Sequence, residues 1–347
     1  MQSTKIIVLA AVVALVATGG WYFFKNGSHT EKEVAIKVGE STSSPTSYEI
    51  VQKLTGRDIL KEEGVTLERI PIQGGGAGTV TMQALLAGNI DVAGGSISVW
   101  VNAISKGAKV KLLLPGSVTE KPEHSGLLVL EDSNIHTIKD LVGKRIAVNV
   151  LGAEADFIIR TFLKQNGLTI DQVELVVVPS ENQEQVLRSK QADAIAWTTS
   201  GGAQFDRAVD KGGVRKIPGT SSFETRGSLP LLTTSEGLRE EFIKEHPEAV
   251  RKYLKAVDTA RHIVWEEFNR NPERVRAVYA EISEAKGGNP LQAKYYRGPR
   301  WSPENQFIAD RDIQFWIEKF TEAGILKPGQ IKPSDIYTNE FNPKFKK

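Results

Sequence analysis

Ala84-Leu85-Leu86-Ala87-Gly88-Asn89-Ile90-Asp91-Val92-Ala93-Gly94 ends a helix, turns, and starts a strand headed by an aspartate. Val186-Leu187-Arg188-Ser189-Lys190-Gln191-Ala192-Asp193-Ala194-Ile195-Ala196 repeats the arrangement, with Asp193 in register with Asp91. A doubled helix–turn–Asp–strand unit predicts two α/β lobes of similar build, and two lobes leave a cleft in which a ligand can sit. Asp91 and Asp193 themselves read as turn and strand-start residues bonded to their own local backbone.

Outward from the first unit, Val34 to Gly39 alternates as a strand, with Val34, Ile36 and Val38 on one face. Ser44 can cap, and Pro45 open, a helix reaching about Glu63. Val65–Ile72 is a strand; Gly74–Thr79 turns into a short helix; Ile90–Ala93 is the Asp-headed strand; Gly94-Gly95-Ser96 starts another helix; Lys109–Leu114 is a strand. Around the second unit, Ser125–Leu130, Arg145–Val150, Glu174–Val178 and Ala194–Trp197 read as strands, with helices from Glu154 to Asn166 and through Val186, and Pro230–Thr234 returns as a strand. From Ser235 the pattern turns to helices alone, opened by Pro247, Pro272 and Pro303. The expected division is a first lobe of residues 34–118 plus 231–347 and a second lobe of 119–230, joined by two crossings that make a hinge. A plain two-domain run with the tail as a third helical unit is the rival topology.

The totals narrow the function. With 44 basic and 42 acidic residues the net charge is +2, so no nucleic-acid partner is implied. The absence of cysteine removes disulfides, thiolate metal sites and cysteine nucleophiles. Lys5 followed by the apolar run Ile6–Phe24 marks residues 1–25 as a signal peptide or an uncleaved membrane anchor, with 26–33 as a polar linker. Either way the rest of the chain is expected outside the cytoplasm. The five histidines show no metal spacing and no Gly-x-Ser-x-Gly elbow occurs, so no catalytic residue, cofactor or metal is expected.

Ligands of open α/β sheets lie beyond the carboxyl ends of the strands, where helix starts point unpaired N–H groups outward. Four strand-to-helix segments stand there: Ser41, Thr42 and Ser44; Gly76, Ala77, Gly78 and Thr79; Gly95 and Ser96; Gly152, Ala153 and Glu154. Together they suit a small anion held without a lysine or arginine, although each taken singly also reads as an ordinary cap. Trp197, followed by Thr198, either faces the cleft or sits in the core, whereas Trp100 reads as core beside Val99, Val101 and Ile104. Arg226 either reaches an oxyanion or lies in solvent. Glu154 either complements its helix dipole or selects a ligand with an amine.

Several segments resemble the periplasmic solute-binding components of ABC importers, in the subgroup that takes nitrate, taurine and aliphatic sulfonates. They are Gly75–Gly78 with Met82–Asp91, Asp140–Val148, Gln191–Ala194, His246–Val250 and Gly324-Ile325-Leu326. The resemblance implies an α/β, two-lobed type II periplasmic binding protein fold, with a hinged inter-lobe cleft and a C-terminal helical segment on lobe 1. It also implies a non-catalytic monomer that captures a small anionic ligand for a membrane ABC permease. Where many relatives have Trp-Pro, this chain has Trp197-Thr198, which leaves the organic end of the ligand open. A sensing partner of a membrane receptor, and an enzyme of the thiamine-pyrimidine-synthase type, are the competing readings.

Overall fold

The computed structural model describes residues 34–41, 44–72, 79–119, 125–152, 154–198, 202–221, 231–300 and 306–345. The strands in chain order are β1 (Ala35–Ser41), β2 (Thr66–Ile72), β3 (Val92–Ser96) and β4 (Val110–Pro115), a short β5 (Val118–Thr119), then β6 (Gly126–Leu130), β7 (Arg145–Val148), β8 (Glu174–Val177), β9 (Ala194–Trp197) and β10 (Val214–Lys216), a short β11 (Leu231–Leu232), and β12 (Thr234–Arg239). They form two five-stranded sheets, ordered β2-β1-β3-β12-β4 and β10-β6-β9-β7-β8, and β5 pairs antiparallel with β11 where the chain passes between them.

The two sheets share a plan. In the first, β1 lies parallel to β2 and β3, and β12 runs antiparallel between β3 and β4. In the second, β7 lies parallel to β8 and β9, and β6 runs antiparallel between β9 and β10. The fold is therefore two mixed α/β sheets with covering helices. The doubled aspartate is the fastening of this plan. Asp91 donates its N–H to the Lys37 carbonyl (2.7 Å) and accepts the Lys37 N–H on Oδ2 (3.0 Å). Asp193 does the same to Arg145, at 2.8 Å in both directions. The expectation of purely local bonds is thus corrected: each aspartate clasps the neighbouring parallel strand, because its strand starts one residue beyond the reach of regular ladder bonding.

The helices include α1 (Ser47–Thr55), α2 (Thr79–Leu86), α3 (Ile97–Ser105), α4 (Glu154–Gln165), α5 (Ser180–Arg188), α6 (Gly202–Lys211), α7 (Pro247–Arg270), α8 (Pro272–Ala285) and α9 (Asp310–Glu322). Thr46, not Ser44, caps α1, in a capping box with Glu49, and Gly56 at φ 75° ends the helix well before Glu63. Two strand assignments also change. Gly94–Ser96 is strand, pairing with Glu236, Ser235 and Thr234 of β12, and its last residue, Ser96, is also the N-cap from which α3 starts. The tail is not helices alone, since β12 fills the gap between β3 and β4. Among the described residues no helix is long and apolar enough to cross a membrane.

One apolar core runs through both sheets, from Leu112 and Val110 through Leu127, Ile146 and Val148 to Phe157 and Trp316. Phe157 of α4 meets Trp316 of α9 edge-on, with ring centroids 5.5 Å apart, so the second sheet's first helix packs on the C-terminal helices. Trp316 also donates its indole N–H to the Leu232 carbonyl of β11 (3.3 Å). On the outer face of the second sheet, Glu184 gathers Arg188 (2.8 Å), Arg207 (3.1 Å) and Lys211 (3.2 Å). Burial raises its pKa, but the bonds from Arg188 and Lys211 and the charge of Arg207 outweigh that and hold it below the usual glutamate value. Its contribution is therefore present above the unfolded pKa of about 4.3 and is lost as pH falls through the depressed folded value. Glu184→Gln is expected to cost about 1–2 kcal/mol in urea melts at pH 7, and the difference from wild type should vanish in acid.

Candidate functional site

A cavity of about 310 Å3 opens beside the carboxyl end of β1. Val38, Gly39, Val92 and Gly94 form its floor, the segment Ser44–Tyr48 one wall, and Glu236, Tyr253, Val257 and Arg261 the other. A Cβ on Gly39 would stand 2.8 Å from Ile90 Cδ1, and Cβ atoms on the adjacent Gly95 and Gly237 would stand 3.0 and 2.7 Å from the Trp100 ring, whereas one on Gly94 would meet nothing within 4 Å. That ring is 1% exposed and donates to the Ser235 carbonyl at 3.2 Å.

The walls carry buried polar pairs. The Tyr48 hydroxyl donates to Glu40, whose other oxygen lies 3.7 Å from Arg69. Tyr253 donates to Glu236 (2.9 Å), and Arg261 reaches both Glu236 (2.5 Å) and the Pro115 carbonyl (2.8 Å). Burial, and then the adjacent carboxylate, hold both phenols well above their usual range, so both stay protonated donors.

Ser44 is the sequence candidate at this cavity's lining; Gly95 and Ser96 continue β3 from Gly94, which also lines it. Ser44 also hydrogen-bonds Tyr279, which stacks on Tyr296 with centroids 4.4 Å apart. Both rings lie within electrostatic reach of Arg300, and so does Glu154 at the start of α4. Burial lowers the Arg300 pKa, against the opposing pull of Glu154 and the two phenols. Gly152 faces Asn102 of α3, whose Oδ1 is buried without a hydrogen-bond partner. The Gly152 N–H is taken by Asp156 (2.7 Å), so the chain's own carboxylate answers this helix start.

The remaining candidates disperse. Ser41 ends β1 and Thr79 begins α2. Trp197 is 3% exposed, packs edge-on against Phe205, and belongs to the core behind the second sheet with Leu128 and Ile195; its indole N–H has no partner. Thr198 is buried beside it. Thr42, Gly76, Ala77, Gly78, Ala153 and Arg226 lie outside the described residues. Glu40, Tyr48, Glu236, Tyr253, Arg261 and Arg300 were not foreseen. A lone glutamate at a strand end, as at Glu40, was the one available hint.

Across the sheets, Lys294 pairs with Asp210 of α6 at 2.8 Å, and Arg297 with Asp206.

The architecture is that of the periplasmic binding proteins. The alkanesulfonate-binding protein SsuA of Xanthomonas axonopodis pv. citri, solved with MOPS bound, superimposes with a TM-score of 0.67 at 18% identity, covering 88% of this chain and 99% of that one. The periplasmic aliphatic sulphonate binding protein SsuA of Escherichia coli gives 0.64 at 17% identity, covering 89% and 99%. A Brucella abortus protein, provisionally named a binding protein, is 24% identical over 273 residues, 76% of this chain and 79% of its own length. The chain belongs to the NMT1/THI5-like family, whose model matches residues 56–274.

Proposed function

We propose that the protein is an extracytoplasmic solute-binding component that captures a small organic or inorganic oxyanion, of the sulfonate, taurine or nitrate kind, and delivers it to an ABC permease. On this reading it acts as a monomer and without catalysis. Residues 1–25 export or anchor it, and lobes of residues 34–118 with 231–347 and of 119–230 close over the solute about the β5–β11 crossing. The observation that carries the reading is the cavity of about 310 Å3 at the strand ends of a fold shared with SsuA, a volume suited to a small solute.

Calorimetry on protein freed of carried-over ligand tests it, against alkanesulfonates, taurine, nitrate and phthalate. One member is expected to bind at a single site, and closure should then appear as a smaller radius of gyration in X-ray scattering. Absence of heat with every compound on folded protein overturns the oxyanion reading.

A further inference from the structure

Helix α6 divides its side chains among three neighbours. Phe205 and Ala208 are buried in the apolar core behind the second sheet. Arg207 and Lys211 turn to Glu184. Asp206 and Asp210, one helical turn apart, share a side. That side meets residues 290–297 from the C-terminal part of the chain, where Asp206 pairs with Arg297 and Asp210 with Lys294 (2.8 Å).

The segment that supplies the two cations is held by the helices of the first sheet. Asn289 caps its turn Pro290–Tyr295 by accepting the Leu291 N–H (3.0 Å). Tyr296 stacks on Tyr279 of α8, meets Phe268 of α7 edge-on at 5.8 Å, and its carbonyl accepts from Arg276 (3.0 Å). The Arg300 carbonyl then accepts the Val118 N–H of β5 (2.8 Å), at the strand pair where the chain passes between the sheets. The segment therefore runs from α8 to that crossing and presents Lys294 and Arg297 to α6 on the way. Charge, not apolar burial, makes the joint: Val209 of α6 and Leu291 of the segment both stay exposed. The inner pair, Asp206 and Arg297, is 18% and 30% exposed, and the outer pair, Asp210 and Lys294, 50% and 71%. Ion pairs this open to water are weak singly and are screened by salt, which suits a contact that must form and release.

Resting on the solute-binding reading above and on its hinge, we propose that residues 290–300 are a strap, whose Arg297 and Lys294 latch onto Asp206 and Asp210 when the two lobes close. The strap sets the closed share of the chain, and through it the affinity for solute, although none of the four charged residues lines the cavity beside β1.

The test is a distance between two spin labels, measured by pulsed electron paramagnetic resonance on the full, ligand-stripped chain. The chain has no cysteine, so Glu68→Cys on β2 and Glu174→Cys on β8, both exposed, place one label on each sheet. Two distances are expected, one open and one closed. Asp206→Asn should raise the open-to-closed ratio about two- to fivefold, and Asp210→Asn less. Raising sodium chloride from about 0.05 to about 0.5 M should move the wild-type ratio the same way. Solute affinity should fall by the factor by which the closed share falls. The exchange Asp206→Arg with Arg297→Asp should restore the wild-type ratio, a rescue that a mere loss of stability does not give. Circular dichroism melts establish that the variants fold; if none does, the salt series decides alone. A ratio unmoved by Asp206→Asn and by salt, in a chain whose distances still shift with a solute, overturns the strap and leaves the solute-binding reading standing. A single distance unmoved by the variants, by salt and by every solute tried overturns the closing of the lobes together with the strap.

Discussion

Asp91→Ala is expected to destabilise the protein by about 2–3 kcal/mol, and Asp193→Ala by only about 1 kcal/mol. The two aspartates make the same pair of backbone bonds, so the difference comes from what surrounds them. Asp91 is 4% exposed and also accepts from Arg239 (2.5 Å), whose Nε is buried without a partner. Removing the carboxylate leaves that half-buried guanidinium with only the exposed Glu241 (2.9 Å) as its partner, beside the orphaned Lys37 N–H. The Asp193 side chain is about one-third exposed and its nearest cation, Arg145, stands 3.6 Å away, so water can replace much of what is lost. Urea denaturation of the two variants, read by tryptophan fluorescence, measures both values. Equal losses would mean that the Arg239 pair contributes nothing beyond the clasp.

Trp100→Ala should cost about 3–5 kcal/mol, as for a large aromatic removed from a packed core. The ring fills the space left by the missing side chains of Gly95 and Gly237 on the paired strands β3 and β12. The same packing predicts that Gly237→Ala is destabilising, since its new Cβ would lie 2.7 Å from the ring and something must shift. Thermal melts of both variants check this. A Trp100→Ala variant that melts with wild type would show that the ring is not what holds β12 in the sheet.

Much of the architecture was readable because it is periodic. Val34–Gly39 alternates, the Asp-headed strands recur, and Trp100 shares its helix with apolar neighbours, as the buried face of α3 bears out. The strand β12 was not readable, since Thr234-Ser235-Glu236-Gly237-Leu238-Arg239 looks polar and carries a glycine. Its polarity is explained only by the site: Glu236 faces the cavity and Gly237 makes room for Trp100. The polar groups of the cavity were equally hidden. Glu40, Tyr48, Glu236, Tyr253 and Arg261 come from β1, α1, β12 and α7, and no local spacing links them. Sequence pattern pointed to positive helix starts as the natural seat for an anion. At α1 and α4 the chain places its own Glu49 and Asp156 on those starts, an outcome that depends on side-chain direction.

The bare floor of the cavity limits how its lining can diversify. Gly39 lies against Ile90, and Gly95 and Gly237 against an indole, so a side chain added at any of these three meets the interior, whereas one at Gly94 meets open space. Changes in what the cavity accommodates would therefore arise at Gly94 and at the rim, from the turn that precedes α1 and from the inward face of α7. Descendants of this chain would be expected to keep the platform and exchange the fence around it.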